Sequence, residues 1–133
     1  MQRTLMVLFG LALAATSMQS VHAQNRGGNN SLPKVDFQVV QISPVGMGLA
    51  IHVKNGGFVR SSGTSVSVVI YNAQRQIVKT QSLAVSALQP GQQTRVIVVP
   101  PANLQSFMLK ATVDPGNHVQ ESNERNNIKT FRR

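Results

Sequence analysis

The 133-residue chain carries 13 Lys and Arg against 4 Asp and Glu, a formal net charge of +9, and has neither Cys nor Trp. That length fits one domain and excludes a two-domain enzyme or a (β/α)₈ barrel, which needs ~250 residues. The lack of Cys excludes a disulfide framework, a thiolate metal site and a thiol nucleophile, while an apolar fraction of 41% argues against wholesale disorder.

Residues 1–23 differ from the rest. Met1-Gln2-Arg3 brings one early positive charge, and Leu5 to Ala15 is an apolar run broken only by Gly10. The more polar stretch Thr16 to Ser20 then leads to Val21-His22-Ala23. An apolar stretch of about 7–15 residues followed by such a site is the pattern of a secretory signal peptide, with cleavage expected before Gln24. A membrane-spanning helix needs about 20 apolar residues, so this run is too short, and the mature chain has no transmembrane segment. Losing Arg3 leaves 12 basic against 4 acidic residues, a net charge of +8, on an exported chain in the periplasm or outside the cell. Gln24 to Ser31 has no apolar residue and two glycines, which makes 24–32 a flexible leader.

From Pro33 to Arg133 short β-branched runs alternate with turn residues. The first run covers 34–42, with Phe37 and Val39 on one face. Across 47–55, Leu49, Ile51 and Val53 alternate with Ala50, His52 and Lys54; across 64–72, Val66, Val68 and Ile70 alternate with more polar neighbours. Residues 77–85 give a less regular fourth run and 95–99 a fifth. Phe107, Leu109, Ala111 and Val113 define a sixth, and 128–131 a short seventh. The period is two rather than 3.6, so the elements read as half-buried strands. Ser43-Pro44-Val45-Gly46, Asn72-Ala73-Gln74-Arg75 and Leu88-Gln89-Pro90-Gly91 read as turns, and Asn55-Gly56-Gly57 as a source of left-handed positions. Pro100-Pro101 ends the fifth run. Seven short strands in ~100 residues predict an all-β fold, an immunoglobulin-like, seven-stranded antiparallel β-sandwich with an aliphatic core. The first and last strands, 34–42 and 128–131, are the expected sheet edges, with Lys34 and Lys129 guarding them.

Residues 113–127 hold three of the four acidic residues and four Asn. Asp114-Pro115-Gly116-Asn117 is a turn, Val119 a plug beneath the loop, and Asn123, Asn126 and Asn127 caps for backbone groups. The order Val53-x-Asn55-x-Gly57, Leu88-x-Pro90-Gly91 and Ala111-x-Val113-Asp114-Pro115-x-Asn117-x-Val119-x-Glu121-Ser122-Asn123-Glu124-x-Asn126-Asn127 resembles the CARDB family, cell-adhesion-related domains found in bacteria. The resemblance covers about residues 33–131 and places a CARDB-like domain at 33–133. It implies an immunoglobulin or fibronectin III-like sandwich on exported proteins, and adhesion or binding as its work.

Little in the residues points to catalysis. Of the three His, His22 leaves with the signal peptide, His52 lies on an outward strand face and His118 sits beside a turn. There is no G-x-S-x-G elbow and no H-E-x-x-H pair, and no cofactor is expected. Asp114, Asn117, Glu121 and Glu124 offer the hard oxygen ligands that Ca²⁺ prefers, but their spacing is not that of an EF-hand. Turn capping and neutralisation of Arg125 and Lys129 account for the same residues, so calcium binding is the weaker reading. Charge is the stronger clue. Lys54 and Arg60 bracket the Asn-Gly-Gly loop, Lys129, Arg132 and Arg133 form a basic tail, and Lys54, Lys110 and Lys129 share an outer face if successive strands are neighbours. Such a surface attracts anionic polysaccharides or lipid head groups. One Tyr and a few Phe give no stacking platform, so sequence-specific nucleic-acid recognition is not expected. The favoured reading is a non-enzymatic binding module that recognises a protein or cell-envelope polymer through loops or a sheet edge. A charge-driven polyanion-binding protein is the alternative, and an enzyme acting on envelope polymers the remotest.

Overall fold

A computed structural model describes residues 32–133; the expected signal peptide and all but the last residue of the expected leader lie outside the described residues. Seven strands follow one another: β1 (Phe37–Val45), β2 (Gly48–Asn55), β3 (Thr64–Tyr71), β4 (Ile77–Val85), β5 (Gln93–Val98), β6 (Met108–Val113) and β7 (Ile128–Arg132). One turn of 3₁₀ helix, η1 (Arg125–Asn127), precedes β7. No helix among the described residues is long and apolar enough to cross a membrane.

The strands form two antiparallel sheets, β1-β2-β5 and β4-β3-β6-β7. The alternation predicted this arrangement, because each strand turns one apolar face inward. Phe37, Ile51, Val53, Val66, Val68, Ile70, Leu109, Ala111 and Val113 are all fully buried between the sheets. Leu88, from the loop before β5, and Phe107, just ahead of β6, close the core, and Val119 packs against it from the acidic loop. At about 25 cal/mol per Å² of apolar surface, this aliphatic packing is the main favourable contribution to folding.

Two turns differ from expectation. The Ser43–Gly46 turn is displaced: β1 continues through Pro44, paired with Leu49, and the chain reverses at Gly46 (φ +55) and Met47. Proline is tolerated there because β1 is an edge strand, whose outer side needs no N–H donor. Gly56 and Gly57 supply no left-handed residue; those positions fall on Gly46, Gly91, Arg75, Asp114 and Asn117. Gly57 is needed instead for close approach, since a Cβ there would strike the Lys34 carbonyl oxygen and the Asp36 nitrogen.

β1 and β7 are edges as predicted, and β5 and β4 are the other two. The sandwich therefore has two open sides, and a lysine laces each. Lys129 of β7 lies opposite inward-facing Ala111, and its Nζ donates to the Val40 carbonyl of β1 at 3.1 Å. Val40 is the residue that a register shift between Val39 and Gln41 leaves without a partner on β2. On the other side Lys79 of β4 lies opposite buried Ile70, and its Nζ donates to the Val99 carbonyl beyond β5 at 2.8 Å. An inward-pointing charge on an edge strand hinders a further strand from pairing there. Lys34 takes part through its backbone, its carbonyl accepting from the Phe58 N–H at 3.1 Å.

Candidate functional site

All four acidic residues of the chain lie at one end of the sandwich, where β1 and β7 begin and β2 and β6 end. Val35 pairs with Glu121 in a parallel bridge, drawing the segment before β1 against the acidic loop. There Glu121 Oε2 accepts from the Phe37 N–H at 2.6 Å, and Oε1 from Asn127 Nδ2 at 2.8 Å. The same Nδ2 donates to Glu124 Oε2 at 3.2 Å, while Glu124 Oε1 accepts from the Glu121 N–H at 3.3 Å. Asp36 takes Asn126 Nδ2 at 3.0 Å and Gln38 Nε2 at 2.7 Å. Beside this latch, fully buried Asn55 accepts from the N–H groups of Gly57 and Asp36 and donates to the carbonyls of Val59 and Leu88. One side chain thus ties together the segment before β1, the loop after β2 and the loop before β5. The loop's acids are held by amides and backbone N–H groups, not by the expected Arg125 and Lys129. Burial lifts the Glu121 carboxyl from 4.5 to about 7; hydrogen bonds from Asn127 and Phe37 oppose this, and the charges of Glu124 and Asp114 add to it.

The calcium candidates separate into two groups. Asp114 caps its own turn, accepting from the His118 N–H at 3.2 Å, the Val119 N–H at 3.0 Å and the Thr64 hydroxyl at 3.4 Å. Asn117 is exposed in a left-handed conformation and donates its N–H to the Asp114 carbonyl. Glu121 and Glu124 meet through the shared Asn127 amide and through the Glu121 N–H, which donates to Glu124. Every carboxylate oxygen of Asp36, Asp114, Glu121 and Glu124 already accepts a hydrogen bond from the protein. His118 lies beside Asp114 and Ser65 in a depression of about 230 Å³, where the Asp114 carboxylate serves backbone N–H groups. His52 occupies the outward face as predicted, with Ser43 Oγ at 3.3 Å and Gln93 Nε2 at 3.2 Å.

The opposite end is cationic. Register places Tyr71 of β3 beside Met108 of β6, and Met108 beside Arg132 of β7, in one row across the outer face. Lys110 occupies the next outward-facing row, between Val69 of β3 and Thr130 of β7. The β3–β4 hairpin brings Arg75 alongside, its backbone left-handed (φ 62) in a turn closed by Asn72. Arg133, the last residue, is pinned by paired backbone bonds to Phe107 at 3.1 and 3.3 Å. These residues line a cleft of about 760 Å³ that holds Arg75, Lys110, Arg132, Arg133 and Tyr71 and no acidic residue. The cleft thus unites three of the predicted basic residues and adds Arg75 and Tyr71. The other three fall elsewhere. The expected shared face of Lys54, Lys110 and Lys129 is not formed, because Lys54 belongs to the β1-β2-β5 sheet and Lys129 faces the sandwich interior, its ammonium spent on Val40. Arg60 is exposed in the loop after β2, toward the acidic end. Strand alternation could have paired Lys110 with Thr130 and Arg132, but no local signal marks Arg75, which arrives from a neighbouring hairpin.

Comparison with known proteins agrees with the fold. The CARDB family model matches residues 43–131, and no curated protein matches the chain. Among solved structures, the chain is similar to a domain of a protein assigned to the cell surface in Methanosarcina acetivorans, with 27% identity and a TM-score of 0.59 over 74% of this chain and 90% of that one. The solution structure of a CARDB domain from Pyrococcus furiosus shares 28% identity, with a TM-score of 0.53 over 76% of this chain and 93% of that one. The crystal structure of that domain in complex with di-metal ions is similar in fold at 24% identity, with a TM-score of 0.54 over 79% of this chain and 94% of that one.

Proposed function

The chain belongs to the CARDB family, and from that we propose that it is an exported, non-catalytic binding module that takes anionic groups of a cell-envelope component in its basic cleft. The observation that carries this reading is the charge separation: four cations line a single cleft together with the rings of Tyr71 and Phe107, with all acidic residues at the other end. Carboxylate, sulfate and phosphate suit the planar, bidentate donors of Arg75, Arg132 and Arg133. Lys110 adds a point charge, and Tyr71 a surface on which a sugar ring can lie. Unlike Lys79 and Lys129, whose ammonium groups are held by carbonyls, these cations face open space. A like-signed field in a concave site also speeds encounter with an anion. The laced edges favour the cleft over strand addition as the site of recognition.

The test uses a soluble anionic polysaccharide, heparin or polygalacturonate, at low and high salt. The chain is expected to bind and to release with salt. Arg75→Ala combined with Arg132→Ala should weaken binding by roughly tenfold or more and flatten the salt dependence by about two charges. Lys54→Ala with Arg60→Ala, near the acidic end, should change it less than about twofold. Equal losses in both pairs would refute the cleft.

A further inference from the structure

A second depression, of about 500 Å³, shares Phe107 and Arg133 with the basic cleft. Its lining is chiefly apolar, with Pro44, Met47, Leu49, Pro100, Leu104 and Phe131 among its residues. It lies at the tip of the β1–β2 hairpin, where Met47 is 86% exposed. The adjoining end of β5 exposes Ile97 by 47% and Val99 by 50%. Gly48 lets these residues close onto the hairpin, since a Cβ there would come within 3.1 Å of the Ile97 side chain. One end of the molecule therefore combines a projecting apolar tip with four cations, and the far end holds every acidic residue.

We infer that this end docks on an anionic phospholipid bilayer, with Met47 and Val99 entering the boundary between head groups and acyl chains while Arg75, Lys110, Arg132 and Arg133 meet the phosphates. The inference rests on the reading of the cleft as an anion site and names the source of its anions. Charge complementarity selects the occupant. A negatively charged surface attracts the cationic end and repels the acidic one, so the field turns the apolar tip toward the membrane before contact. A soluble polymer would fill the cleft and leave Met47 in water. A bilayer uses both features, because an apolar side chain gains from leaving water and cations gain from lipid phosphates. Either contribution alone is weak, and together they give reversible attachment.

The experiment is co-sedimentation of the chain from Gln24 onward, which contains the whole described sandwich, with phosphatidylcholine vesicles with and without phosphatidylglycerol. Heparin binding is measured in parallel. The expected result is sedimentation with the anionic vesicles only. Met47→Ser should lower vesicle partition several-fold and leave heparin binding unchanged, and Met47→Asp, which also brings a negative charge to this end, should lower vesicle partition further, by roughly tenfold. Arg75→Ala with Arg132→Ala should weaken both, by roughly fivefold per cation on vesicles. Heparin binding without vesicle binding, or vesicle binding indifferent to both Met47 variants, would overturn the membrane docking and spare the cleft. Failure to bind either probe would overturn both readings.

Discussion

Glu121 offers a decisive test of the latch at the acidic end. Its side chain is only 6% exposed and joins the Phe37 N–H, where β1 begins, to Asn127, just before β7. Burial moves its carboxyl from 4.5 to about 7, so the folded chain holds on to a proton that the unfolded chain releases at lower pH. The stabilising contribution is therefore complete below 4.5 and is lost as pH rises to about 7, the curve levelling above that. Each pH unit in this window is worth about 1.4 kcal/mol, a total of about 3 kcal/mol. Glu121→Gln keeps the shape and removes the charge. Its new amide would face Asn127 Nδ2, so the Asn127 amide must turn, offering the Oδ1 that has no partner in the present arrangement. That turn withdraws a hydrogen bond from Glu124, a loss of about 1 kcal/mol. The variant should then exceed the parent by about 2 kcal/mol at mildly alkaline pH and lose the steep fall with pH. Urea titrations of both proteins between acidic and alkaline pH measure this, and thermal melts should separate by roughly 8–16 °C for a domain of this size. Parallel pH profiles for parent and variant would refute the argument.

Two other substitutions probe the packing and the buried amide. Leu109→Ala removes a fully buried side chain set in register between Ile70 and Phe131 and should cost about 2–5 kcal/mol; a urea midpoint shift equivalent to less than about half a kcal/mol would place that face outside the core. Asn55→Ala strands the N–H groups of Gly57 and Asp36 and the carbonyl of Val59, leaves the Leu88 carbonyl with only the Ser61 N–H, and should cost at least about 3 kcal/mol. It should also speed amide exchange at Gly57 beyond the global change in stability, the readout that separates loss of this junction from general loosening.

The strands were legible because their cause is local. A side chain in extended backbone alternates sides with period two, so Ile51, Val68 and Leu109 announce their faces without any knowledge of their neighbours. The family resemblance was legible for a similar reason: the loop from Asp114 to Asn127 satisfies its backbone largely from its own side chains, and Asp114 capping Val119 is an interaction across five residues. Where a turn depended on its partner strand, the sequence misled. Pro44 reads as a turn residue, yet an edge position makes it a strand residue, and Gly57 reads as a source of positive φ, yet it makes room for the chain at Lys34.

The sequence by itself thus determined the strand count, the inward faces, the family and the excess of positive charge. Only the tertiary structure decided where that charge acts. Lys110 and Lys129 sit on neighbouring strands, but one faces solvent and the other reaches across the sandwich to Val40. Arg75 joins Arg132 across more than fifty positions of chain because the β3–β4 hairpin that carries it and strand β7 belong to one sheet, with β6 between β3 and β7. Charge is a property of residues, whereas the potential in a cleft depends on distances and on which neighbours are absent. Those are set by sheet order, which strand alternation does not encode.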